Sequence, residues 1–218
     1  MRQLLSGIKV VELAEGIAGS YCGKLFADLG ADVVKVESPS GDELRHRTST
    51  ARGPDGLFRG GAFLHANTNK RSTVIDPATA EGRARVRLLL LRRSQLVIES
   101  SGRSDLDSWG LTWDGIHEDS PGLSVVSISG FGATGPYAGY RWDDLIVQAV
   151  SGAMVHGGTD EGPVRLPGHL GLHVVASMAA LGGLAAVVAA ASSGRGSFVE
   201  CSAAEALATL PARSTRLV

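Results

Sequence analysis

The chain is poor in cysteine and in aromatic residues, and it carries almost no net charge. Two cysteines in 218 residues, Cys22 and Cys201, cannot build a disulfide framework, and a reduced cytoplasmic setting is expected. Twenty-one basic side chains against 22 acidic ones leave a formal charge of −1, so nothing points to nucleic acid or to an anionic membrane as partner. HExxH, CxxC, GxSxG and P-loop sequences are all missing, which leaves metal hydrolysis, serine hydrolysis and Walker-type NTPase chemistry without support. The opening stretch MRQLLSGIKVVEL has neither a long apolar core nor a small-residue cleavage site and does not read as a signal peptide. Glycine is what the chain has in excess: 29 residues, roughly 13% against a usual ~7%, without collagen period or low-complexity tract. Many tight loops between regular elements are the expectation.

The first thirty residues of pattern read as strand, turn, helix, strand. Ile8–Leu13 is a β-branched run, and Glu15-Gly16-Ile17-Ala18-Gly19 is a glycine-containing turn. Ser20 is placed to cap a helix through about Leu29, which Gly30 stops, and Asp32–Glu37 is the second strand. Residues Ser38–Gly61 have no sustained period and read as an exposed excursion. Further strands are expected at Arg71–Ile75, Gln95–Glu99, Leu123–Ser129 and Ser197–Cys201. Between them, helices are expected from Asp76-Pro77 to about Leu91, over Asp143–Val155, and from Ala203 onward. Leu170–Ala191 would be long enough to span a bilayer, but its alanine and glycine content and the missing Trp/Tyr belts make it a helix buried on all sides within a domain. Strands that are near-continuous apolar runs, alternating with helices, predict an α/β fold: a Rossmann-like, doubly wound, mainly parallel sheet with helices on both faces, residues 1–218 forming one domain.

Taken singly, the chemical motifs are weak. Gly16–Gly19 lies where a strand hands over to a helix and where backbone N–H groups can meet an anion, but it is not GxGxxG, and Glu37 matches a ribose-binding acid only loosely. Taken alone, those glycines are better read as a plain structural turn, since tight strand–helix corners need glycine anyway. Asn69-Lys70-Arg71 has the charge to meet a phosphate, but on its own it reads as exposed surface charge. The glycine-rich run Ser129–Tyr137 follows a strand end, where open α/β sheets bind ligands.

Four segments in order resemble the family III CoA-transferases, a family that includes formyl-CoA and carnitine CoA-transferases and α-methylacyl-CoA racemases. They are Leu5–Leu13 with Phe26–Glu37; Asn67–Ser72 with Ala80-Glu81-Gly82; Ser127–Gly132 with Thr134–Tyr137 and Asp144–Ala149; and Gly194-Arg195-Gly196 with Phe198–Ser202 and Glu205-Ala206. The resemblance implies CoA or acyl-CoA as substrate rather than a tightly bound cofactor, a carboxylic acid as co-substrate, and no metal. Carried over by position, CoA contacts fall at Ile17, Ala18, Ser38, Ile75, Asp76, Pro77, Ala78, Ser100, Ser101, Gly102, Ser108, Ser129, Gly130, Phe131 and Gly132.

Two of those positions, Ser38 and Ser108, carry a basic residue in the relatives, and each lost charge-assisted bond is worth ~1.5–3 kcal/mol. Arg45 and Arg103 are near enough in sequence to compensate. The resemblance further implies an aspartate that attacks the thioester carbonyl. Counting back from Gly194 puts that position at Leu172, and no Asp or Glu occurs between Arg165 and Ser193. No catalytic residue is therefore assigned; His169 and His173 are the nearest polar side chains. Family members are roughly twice as long, with an inserted small domain and interlocked chains. The expectation is a CoA-transferase-like protein impaired when alone, or else a non-catalytic CoA-binding or assembly subunit, pairing as a homo- or hetero-oligomer with a chain of the same family.

Overall fold

The computed structural model describes residues 3–47, 50–52, 58–100, 104–158 and 160–210. Six parallel strands form the central sheet in the order β5-β2-β1-β6-β7-β8: β1 Lys9–Glu12, β2 Asp32–Glu37, β5 Arg71–Val74, β6 Leu96–Glu99, β7 Ser124–Ser129 and β8 Phe198–Ser202. In the centre Val10 pairs with Val33 on one side and Leu96 on the other. Every residue of β6 and β7 is buried, including Glu99, Ser124, Ser127 and Ser129, because both sheet faces are covered.

The pleat sends alternate residues of β1 to opposite layers. Val10 joins Phe26, Ile98, Val126, Val175 and Leu207 under α1 (Gly16–Asp28), α8 (Leu170–Ser193) and α9 (Ala203–Ala208). Val11 joins Val36, Val86, Leu90, Val97 and Ile116 under α3 (Ala80–Arg93), α4 (Ser104–Ser108) and α5 (Trp113–Asp119). The chain winds outward from β1 through β2 to β5, then restarts on the other side of β1 with β6, β7 and β8. That reversal leaves a crevice above the carboxyl ends of β1 and β6, the place where open α/β sheets hold ligands.

Several boundaries differ from the sequence expectation, each for a local reason. α1 starts at Gly16 rather than after Ser20, with Glu15 as its N-cap residue in extended conformation. Ser20 is buried inside the helix, where its hydroxyl accepts a hydrogen bond from Lys35 Nζ at 3.1 Å. The helix expected at Asp76 starts at Ala80, because Thr79 supplies the cap (Gly82 N donates to its Oγ1, 2.9 Å) and Asp76 closes a turn onto Ala78 N instead. Asp143–Val155 breaks into α6 (Asp144–Val150) and α7 (Ala153–His156) at Gly152, which sits at φ +79. The excursion after Ser38 contains a 3-10 turn, Glu43–Arg45, an antiparallel pair, β3 (Thr50–Arg52) with β4 (Phe58–Gly60), and a short helix, α2 (Gly61–Ala66), follows it.

α8 spans the length expected but is covered on one face only. Leu172, Val175, Ala176, Ala179, Gly183 and Val187 face the core, while Leu181 and Val188 are 65% and 62% exposed. It is long and apolar enough to cross a membrane by length and composition, yet it packs along α1, β7, β8 and α9.

Candidate functional site

Two cavities open above the carboxyl ends of the central strands, and both are lined by Glu15, Glu43 and Ser100. The first, of about 510 Å3, runs from Gly16, Ile17 and Ala18 to Trp142, Asp144, Arg165, His169 and Leu172. The second, of about 390 Å3, is walled by Leu13, Val36, Ile75, Pro77, Val86 and Trp109, with Ser38 at its side. One is polar at its far end and the other largely apolar. Together they form one groove bent at the junction of β1 and β6.

That junction is held by Ser100. Its hydroxyl accepts the Glu15 N–H at 3.1 Å and donates to the Glu15 carbonyl, also at 3.1 Å, tying the loop after β1 to the loop after β6. Gly19 permits the approach: a Cβ there would lie 2.1 Å from that of Ala14 and 3.2 Å from Ser100 Cβ. Gly16 takes φ +71, which glycine alone adopts without strain, and turns the chain out of β1 into α1.

A buried ionic lattice fixes the floor of the same corner. Lys35 Nζ lies 2.8 Å from Glu12 Oε1 and 2.7 Å from Asp42 Oδ2, and donates to the Ala14 carbonyl at 2.7 Å. Lys70 Nζ lies 2.7 Å from Glu12 Oε2 and donates to the Ser20 carbonyl and Asn67 Oδ1. Burial by itself would lower the Lys35 pKa, but Glu12 and Asp42 outweigh it and raise it. For Lys70 burial wins, helped by the nearby Lys35 charge, and its pKa is lowered despite Glu12.

These contacts settle several sequence readings. Lys70 is buried inside the lattice, Asn69 donates to Asp28 at 2.8 Å, and Arg71 forks onto Asp32, so the Asn69-Lys70-Arg71 run is engaged within the protein. Glu37 does not offer itself to a ribose: it is buried and receives Arg45 through two bonds of 2.7 and 2.8 Å. Burial pushes the Glu37 pKa up, but Arg45 and the Asp42 N–H pull it below the usual glutamate value. The Arg45 guanidinium also lies 3.7 Å over the Phe63 ring, so Arg45 is held between Glu37 and Phe63. Arg103, Ser101 and Gly102 lie outside the described residues.

Of the carried-over contact positions, Ile17, Ala18, Ser38, Ile75, Pro77 and Ser100 line the two cavities. Asp76 and Ala78 form the turn beside Pro77, and Ser108 sits exposed at the end of α4. Ser129, Gly130, Phe131 and Gly132 are not among the residues lining either cavity. A Cβ on Gly130 would fall 2.3 Å from Trp142, so this glycine seats the indole that forms the cavity wall. Ser129 Oγ in turn accepts the Gly132 N–H at 2.9 Å.

Sequence reasoning missed Asp144. It starts α6, is 3% exposed, and lines the same cavity as Leu172. Its Oδ2 accepts hydrogen bonds from Gln148 Nε2 at 2.8 Å and from Arg165 at 3.1 and 3.3 Å, while Oδ1 has no hydrogen-bond partner among the described residues. Gln148 also grips Leu166 through both backbone groups, so Asp144 and Gln148 hold the segment that carries Arg165 and His169 to the cavity. The readable signal was the Asp144/Gln148 pair, which a four-residue spacing puts on one helix face. His169 lines the cavity, whereas His173 packs edge-on against Tyr21 with centroids 4.6 Å apart. No group of three or more His, Cys, Asp or Glu suited to a metal occurs among the described residues.

A doubly wound sheet with two cavities at its switch point has the architecture in which open α/β sheets hold ligands. The family model for CoA-transferase family III matches residues 5–215, and the chain belongs to that family. It is 45% identical over 166 residues to a succinate–glutarate CoA-transferase of Agrobacterium fabrum, covering 72% of this chain and 40% of that protein. It is 36% identical over 211 residues to a subunit of the succinyl-CoA:(R)-benzylsuccinate CoA-transferase of Thauera aromatica, covering 95% and 51%. Among solved structures it superposes on a CAIB/BAIF family protein from Brucella suis with a TM-score of 0.89 and 33% identity, covering 97% of this chain and 56% of that one. The chain thus spans about half the length of the relatives it matches.

Proposed function

We propose that this chain is the CoA-binding half of an acyl-CoA:carboxylate CoA-transferase. Its groove would take the nucleotide in the apolar cavity beside Trp109 and Ile75, and the thioester in the cavity beside Ile17, Ala18 and Asp144. The observation that carries the reading is the meeting of both cavities at Glu15 and Ser100, directly above the switch point. The acceptor is a carboxylic acid. The Agrobacterium relative is named for two dicarboxylates, and Arg47 and Arg165 are the arginines lining this cavity that a second carboxylate would meet.

Catalysis by the chain alone is impaired in this reading. Leu172, at the position of the family's attacking aspartate, is a buried hydrocarbon and cannot form an acyl intermediate. A second reading, a CoA-binding or assembly subunit paired with an active homologue, is favoured by the uncovered apolar face of α8 with Leu181 and Val188. Both readings place the protein in the cytoplasm, without nucleic acid or membrane as partner.

Calorimetric titration with CoA, followed by an isotope-exchange assay between succinyl-CoA and labelled succinate, tests this. Saturable CoA binding with slow exchange supports the first reading, and binding with no exchange supports the second. Absence of CoA binding contradicts both.

A further inference from the structure

β5 is an outermost strand of the sheet, paired with β2 on one side and with no strand on the other among the described residues. The Ile75 N–H bonds inward to the Glu37 carbonyl at 3.0 Å, so the alternation of a strand turns the N–H and C=O groups of Ser72 and Val74 outward. Arg71, Ser72 and Val74 are exposed, Val74 by 58%. The register with β2 runs from Arg71 to Val74 without the bulge or proline that commonly blunts an edge, and the one charge on the strand, Arg71, is turned onto Asp32.

A cavity of about 450 Å3 lies beside this edge, between β5 and α3. Val34, Ile75, Leu88 and Leu89 line it with hydrocarbon, Leu88 being half exposed, and Arg85 and Arg92 line it with charge. α3 carries five arginines against one glutamate, in a chain whose net charge is −1. Arg83 donates to the Pro77 and Ala78 carbonyls, and Arg87 pairs with Asp119. Arg85 and Arg92 have no hydrogen bond or ion pair among the described residues.

We propose that the β5 edge and this cavity dock an extended acidic segment of a partner protein, which joins the six-stranded sheet as a further strand. Nothing in this depends on the CoA-binding reading of the groove. The outward N–H and C=O groups of Ser72 and Val74 supply main-chain pairing, and every other side chain of the added strand falls on the face of the cavity. Arg85 and Arg92 stand two helical turns apart, about 10 Å along α3, with Leu88 between them. An acidic, an apolar and a second acidic residue at alternate positions of a strand cover about 13 Å, a difference that flexible arginine side chains take up. A second copy of this chain is the wrong occupant. Pairing β5 with its own copy about a two-fold axis sets Arg71, Arg85 and Arg92 against the same cations, whereas an acidic segment meets Arg85 and Arg92 with the opposite sign.

The probe is the end-capped, fluorescein-labelled peptide Thr-Glu-Thr-Val-Thr-Glu-Thr, titrated by anisotropy into the purified 218-residue chain at low and high salt, with its contact located by amide hydrogen exchange. The expected result is saturable binding that weakens with salt and slows exchange at Ser72–Val74. An Arg85→Glu/Arg92→Glu double variant should unfold at the temperature of the unmodified chain and bind about tenfold or more weakly, two exposed pairs having turned from attraction to repulsion. Val74→Pro removes an outward N–H without touching the pairing with β2, and it should weaken binding as well. Full binding by either variant overturns the proposal, as does equal binding of a peptide with lysine in place of glutamate. Protection confined to other segments, or no binding at millimolar peptide, overturns it too. Self-association of the chain that Val74→Pro abolishes would make a second copy the occupant and overturn the acidic partner.

Discussion

The Ser100 hydroxyl saturates both backbone groups of Glu15, accepting its N–H and donating to its carbonyl at 3.1 Å each. One side chain therefore fixes the distance between the loops after β1 and β6, the two sides of the crevice. Ser100→Ala removes two hydrogen bonds of about 1 kcal/mol each. A loss of about 1–2 kcal/mol in urea unfolding is expected. CoA affinity should fall further than stability alone explains, because the groove loses its corner.

The ionic lattice beneath α1 admits no partial removal. Lys35 answers Glu12 and Asp42 at once, and all three are buried. Lys35→Met should cost about 3–5 kcal/mol by stranding the Asp42 carboxylate in the interior and leaving Glu12 to Lys70 alone. That is a large part of a typical stability of about 5–15 kcal/mol, so the variant should sit near its unfolding transition. Gly23→Ala should be nearly as damaging, since its Cβ would fall 1.9 Å from Glu12 Oε2. Thermal unfolding of both variants checks this.

The apolar cavity offers Trp109 as its one large aromatic wall. Contact between an aromatic side chain and a base is worth ~1–3 kcal/mol, so Trp109→Ala should weaken CoA binding by about 5- to 150-fold. Pantetheine, which lacks the adenosine part, should bind the variant and the unmodified chain alike. Titration of both ligands against both proteins decides.

Glu37 and Glu15 should respond to acid with opposite signs. The folded pKa of Glu37 is depressed, so its pair with Arg45 stabilises fully above the ordinary glutamate value of about 4.3 and is lost as pH falls through the folded value. Arg45→Met should flatten that acid limb and cost about 2 kcal/mol at neutral pH. The folded pKa of Glu15 is raised, so the ionised form is tolerated less well in the folded state than in the unfolded chain. Glu15→Gln should therefore stabilise the protein at neutral pH, and the gain should shrink as pH falls through that raised value. Denaturant midpoints measured from acid to neutral pH separate the two.

Most of the sheet was legible in the sequence, because strands buried on both faces are rich in β-branched and apolar residues, as in Leu96-Val97-Ile98 and Val125-Val126 with Ile128. The start of α1 was not: glycines at 16 and 19 look like a turn, and only the packing of Gly19 against Ala14 and Ser100 shows that they belong to a helix. α4 and α5 were missed because each offers a single dominant core residue, Leu106 or Ile116, too few to show a period. At the site, Ile17, Ala18, Ser38, Ile75, Pro77 and Ser100 were placed by resemblance, and the structure brings them to one groove. The engagement of Arg45, Lys70 and Glu37 with partners inside the protein could not be read, since each pairing joins elements that only the fold brings together. Asp144 was not legible because it sits on α6, distant in sequence from α8, and only the fold packs the two helices together.

Amide hydrogen exchange with and without CoA tests the central claim most directly, because it locates the ligand without presupposing chemistry. CoA should slow exchange in the segments around Glu15–Gly19, Glu99–Ser100 and Ile75–Ala78 and leave the rest of the chain unchanged. Protection confined to other segments, or none at all at saturating CoA, would contradict a groove built at the junction of β1 and β6.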